Sequence, residues 1–201
     1  MHWQRLNRDD SVKTIDSVKS DMNAGLFNVA TSEVKRARVP FYKSYQVYQI
    51  TNFASLPSFS FQYLGDGKFF QHLDGTESPI YVVNDKGDLS LSIGTVQDYL
   101  EFFFTNVGDE DGDIVLITNP KDMPLLDSLD MDVYQAVFSQ HKPIHIEDKE
   151  SLGFLVEADL YKESQLVRAK IEISPKGRVN IAEQKMIIHQ MLDSSRVESV
   201  L

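Results

Sequence analysis

Residues 152–188 read LGFLVEADLYKESQLVRAKIEISPKGRVNIAEQKMII, and this stretch decides the fold class. Leu152, Phe154, Val156, Ala158 and Leu160 alternate with polar residues along a first run. Val167, Ala169, Ile171 and Ile173 do the same along a second. A period of two is the pattern of a half-buried strand. SPKG at 174–177 then supplies a Pro-led tight turn into RVNIAEQKMII, so three consecutive strands form an antiparallel meander. On the polar side, Glu157 and Asp159 of one strand meet Arg168 and Lys170 of the next, and opposite charges across a ladder favour that pairing. One face of this sheet is therefore expected to be wet, and the other needs amphipathic helices to cover it. The expected fold is α+β, a mostly antiparallel sheet packed against amphipathic helices.

Helical cover is found upstream. Val96, Tyr99, Leu100, Phe103, Phe104 and Val107 recur at three- and four-residue steps, which places a helix over 94–107 with Gly108 at its end. A second helical periodicity, Val12, Ile15, Val18, Met22, Leu26 and Val29, extends over residues 10–36. Asp9, Asp10 or Ser11 would cap it, and the basic cluster KRAR at 35–38 would face its C-terminal carbonyls. Between these helices, FYKSYQVYQITNF and FSFQYL are rich in aromatic and β-branched residues and read as strands. PIYVVN and LSLSI, joined by DKGD, read as a hairpin. Residues 113–118 read as a short strand, Asn119-Pro120 as a helix start, 130–140 as a helix and KPIHIE as a strand.

The chain has 201 residues, 42% of them apolar, with no linker-like tract; residues 1–192 are expected to form one globular domain, with a polar, disordered tail over 193–201. No apolar run is long enough for a membrane helix and no secretory signal opens the sequence, so a cytoplasmic protein without membrane association is expected. Absence of cysteine excludes disulfides, thiolate metal sites and a cysteine nucleophile. A net charge of -10 disfavours nucleic acid.

GDEDGD at 108–113 is the densest patch of one chemistry. Asp109, Asp111 and Asp113 meet the first three oxygen positions of a calcium loop, but Ile114 stands where Gly is required and Pro120 where the bidentate Glu is required. The reading is a solvated acidic turn, with a looser metal site at Asp109, Asp111 and Asp113 as the competing one. Residues 109–132 hold eight acids against one base, Lys121, so seven of the ten net negative charges fall there; a basic protein partner is expected at this segment if anywhere.

The histidines His2, His72, His141, His145 and His189 show no zinc-hydrolase spacing, and Pro143 forbids a helical pairing of His141 with His145. No nucleophile elbow occurs, GDGK at 65–68 lacks the ending of a phosphate loop, and Asp85 and Asp88 belong to a turn. The terminal ESVL fits a strand-addition peptide by three loosely specified positions. No catalytic residue, cofactor or bound metal is therefore expected. The leading expectation is a non-catalytic binding or protein-interaction domain. The alternative is an enzyme or small-molecule carrier with a pocket lined by the aromatic strands at 41–70.

Overall fold

A computed structural model describes residues 1–18, 25–108 and 112–188. It is an α+β protein with two antiparallel sheets and, among the described residues, four α-helices. The chain divides into two compact units, Met1–Asp98 and Tyr99–Leu201. The expected tail, 193–201, lies outside the described residues.

In the first unit, β1 (Trp3–Arg5), β2 (Ser32–Arg38), β3 (Gln46–Asn52), β4 (Phe59–Gly65) and β5 (Phe70–His72) pair in sequence order as a meander. Helix α1 (Arg8–Val18) lays Ile15 and Val18 against Val34, Tyr48, Ile50 and Tyr63 of that sheet. The helix expected over 10–36 is thus corrected. Its start is capped by Asn7, whose Oδ1 accepts from the Asp10 amide at 2.9 Å while its Nδ2 donates to Asp10 Oδ2 at 3.0 Å. KRAR lies on β2, where Arg5 and Lys35 flank Glu33 at 3.0 and 2.8 Å. Full seven-residue pairing with β3 outweighs helical spacing here.

The expected hairpin at 79–93 is a second correction. Ser78–Asn84 is a helix, α2, with Pro79 at its start and Ile80, Tyr81, Val83 and Asn84 buried. Pro fixes φ for a first helical turn, and one buried face overrides the strand preference of the Ile-Tyr-Val-Val run. LSLSI contributes only an isolated bridge, Tyr42 to Leu89. The turn between them is pinned by Asp88, whose carboxylate accepts from the Ser44 amide and hydroxyl at 2.9 and 2.6 Å and from the Tyr45 amide at 3.0 Å. Helix α3 (Val96–Asn106) begins where the first unit ends, and its stripe Val96, Tyr99, Leu100, Phe103 and Phe104 is buried as expected.

The second unit is built on β8 (Phe154–Lys162), β9 (Gln165–Ile173) and β10 (Val179–Ile188), the meander read from the sequence. Glu157 pairs with Lys170 and Asp159 with Arg168 in the register anticipated. The outer side of β8 is shared: β7 (His145–Asp148) pairs with its first half and β6 (Val115–Ile117) with its second. Tyr99 Oη donates to the Gly177 carbonyl at 2.5 Å, tying α3 to the β9–β10 turn. The polar face is not uniformly wet, in contrast to the expectation. Helix α4 (Met131–Gln140) and the single turns Pro120–Asp122 and Leu126–Ser128 cover its end. There Ile117, Met123, Leu126, Val137 and Leu166 form a core.

Candidate docking surface on the fourth helix

Placement of α4 depends on one buried carboxylate. Asp159 is completely buried. Its Oδ1 accepts from Arg168 Nε at 2.9 Å, and its Oδ2 accepts from Arg168 Nη2 at 3.2 Å, from the Lys142 amide at 3.1 Å and from His141 Nδ1 at 3.0 Å. Arg168 Nη2 also donates to the Gln140 carbonyl at 2.8 Å, satisfying one of the carbonyls that a helix end leaves without an intrahelical donor. A carboxylate only accepts while ionised, so this contact selects the His141 tautomer with its proton on Nδ1. The C-terminus of α4 is thereby locked to β8 and β9, and a fully hydrogen-bonded, paired charge is the form in which a carboxylate tolerates burial.

With Val133 and Val137 turned to the core, Met131, Tyr134 and Phe138 fall at i, i+3 and i+7 on the outer side. Met131 is 68% exposed and Tyr134 and Phe138 each 36%, and the two rings stack 4.9 Å apart at 33°. Leu125, just upstream, is 52% exposed and holds φ at 59°, the left-handed region a leucine rarely adopts. Asp122, Asp127, Asp130 and Asp132 are all exposed in the same segment. An apolar ridge rimmed by acids thus stands on a helix anchored at its C-terminus.

The residues singled out in the sequence are distributed as follows. Asp109 and Asp111 lie outside the described residues. Asp113 is exposed and, with Glu101, lines a groove of about 400 Å³ beside β6. Among the described residues, no three metal-ligating side chains converge. His145 is exposed on β7 opposite Glu157, while His72 packs its ring on Phe61 and Tyr63 at 5.0 and 5.2 Å. His189 and the ESVL end lie outside the described residues. Of the aromatic series at 41–70, Phe41, Tyr42, Tyr45, Tyr48, Tyr63 and Phe70 are core residues.

The sequence reading missed two features. Pairing of Asp159 with Arg168 was legible, but the part of His141 was not, because eighteen residues separate it from Asp159. The α4 ridge did leave a signal: five large apolar residues, Met131, Val133, Tyr134, Val137 and Phe138, crowd a ten-residue helix and occupy more than one buried face needs. No family model, curated protein or solved structure matches this chain. Among the described residues, no helix is long and apolar enough to cross a membrane.

Proposed function

We propose that this protein is a non-catalytic interaction module that docks a basic, amphipathic helix of a protein partner on α4 and the acidic segment before it. The observation that carries this reading is the exposed ridge Met131, Tyr134 and Phe138, on a helix whose other side packs Val133 and Val137 in the core and whose C-terminus is fixed by a buried charge network. A second helix laid along the ridge covers those apolar side chains, as helix-in-groove recognition requires. Acids at 122, 127, 130 and 132 select a partner with lysines or arginines beside its apolar stripe and accelerate encounter. Leucine 125 supports the same reading, because an exposed apolar residue kept at a strained backbone position is explained by what it touches in a complex.

The test is a titration with a model helix of leucines on one face and lysines on the other, followed by amide chemical shifts and by calorimetry. Saturable binding mapped to α4, weakened by salt and lost in Tyr134→Ser/Phe138→Ser with the fold retained, is expected. Shifts scattered over the surface, or binding indifferent to those two substitutions, would overturn the reading.

A further inference from the structure

Among the described residues, β10 is the longest strand, and five consecutive residues of it are exposed. Among the described residues it pairs only with β9, and Ala182 to Met186 are exposed on both of its faces. An uncovered edge presents unpaired backbone N–H and C=O groups, a template for another strand. Two register shifts against β9 set off Ala182 and Ile187 and leave Glu183 to Met186 as a regular run between them.

We infer that this edge docks a second copy of the chain, β10 running antiparallel to its own symmetry mate about Gln184. A two-fold axis normal to the sheet keeps the faces of the two strands aligned, so only registers in which some residue faces its own copy are allowed. Centred on Gln184, Glu183 of each copy faces Lys185 of the other. Sliding the centre to Glu183 or to Lys185 places like charges directly opposite, which is destabilising. The sequence therefore specifies one register and gives it two ion pairs.

The charges already on that face agree. Lys185 lies opposite Arg168 on β9, a like-charge neighbour, and makes no ion pair among the described residues. Glu183 pairs with Lys170 at 2.8 Å on its inner side and in the dimer meets the second copy's Lys185 on its outer side. A groove of about 470 Å³, lined by Gln140, Glu157, Lys170 and Glu183, lies beside this run. This inference does not rest on the α4 reading.

Sedimentation equilibrium of the full chain is expected to give a concentration-dependent mass rising from 22.9 kDa toward twice that value at up to about 0.5 mM protein. Glu183→Lys alone and Lys185→Glu alone put like charges opposite each other and should both be monomeric. Mixing those two variants restores both ion pairs and should yield a heterodimer, while Glu183→Lys/Lys185→Glu in one chain should recover the homodimer. Far-ultraviolet circular dichroism checks that each variant is folded, and Tyr134→Ser/Phe138→Ser should leave the mass distribution unchanged. A wild-type chain that stays monomeric overturns the proposal. So does a dimer indifferent to the single charge reversals, or a mixture of the two variants that fails to associate.

Discussion

Asp159, fully buried, gathers His141, Lys142 and Arg168 around one carboxylate. Truncation to alanine leaves the Arg168 guanidinium, the Lys142 amide and the His141 ring without their acceptor, and losing one partner of a buried ion pair costs about 3 kcal/mol or more. Chemical denaturation of Asp159→Ala should show a loss of that size; under 1 kcal/mol would mean that α4 is anchored by its apolar contacts alone. Asp88 gives a pH-dependent counterpart in the first unit. Burial pushes its carboxyl up, but the Ser44 hydroxyl and the Ser44 and Tyr45 amides outweigh that and hold it below the ordinary carboxylate value. A depressed folded-state pKa contributes stability that is present above the unfolded value of about 3.9 and is lost as pH falls through the folded one. Asp88→Asn should therefore be less stable than the parent by about 1 to 3 kcal/mol at neutral pH, with the gap closing in melts below about pH 4. Leu125 runs the other way. Leu125→Gly relieves the left-handed strain and should stabilise the fold by about 1 kcal/mol while weakening the docking of a basic helix.

At the scale of elements, the turn between β8 and β9 is Glu163-Ser164, both at positive φ, 50° and 59°. A two-residue loop with both residues there has the primed geometry that matches strand twist, for which Asn-Gly is favoured. Glu163→Asn/Ser164→Gly should then raise stability by about 1 kcal/mol in denaturant melts, and a loss would show that Glu163, which pairs with Lys162 at 3.2 Å, matters more than backbone strain. The strands beside this turn were legible because three signals agreed: apolar alternation, complementary charges and turn residues. Signals conflicted where the reading failed. Residues 10–36 carried helical spacing throughout, yet the part from 32 onward gains seven paired residues with β3. PIYVVN carried strand propensity, yet a short helix buries Ile80 and Val83 together and brings the Asn84 side-chain Oδ1 within 2.6 Å of the Tyr42 hydroxyl that donates to it. Such long-range pairings leave no mark in a local window.

Across the whole molecule, each of the two units has a strand buried between paired neighbours, β3 in the first and β9 in the second. Interior strands open only when the whole sheet opens, whereas an edge strand loses its hydrogen bonds by peeling. In β9, Leu166, Val167, Ala169, Ile171 and Ile173 are all buried, Arg168 is fixed to Asp159, and Gly153 at φ 99° packs so closely on the Ile173 carbonyl that any side chain there would collide with it. Strand β10 shares the ladder but exposes five consecutive residues. Hydrogen exchange at low protein concentration should therefore be slowest at Val167 to Ile173 within the second unit and much faster at Ala182 to Met186. Raising the concentration should slow the β10 amides selectively if a second copy covers that edge, and leave β9 almost unchanged. Faster exchange in β9 than in β10 would show that the meander opens from its centre, which neither its burial nor its register allows.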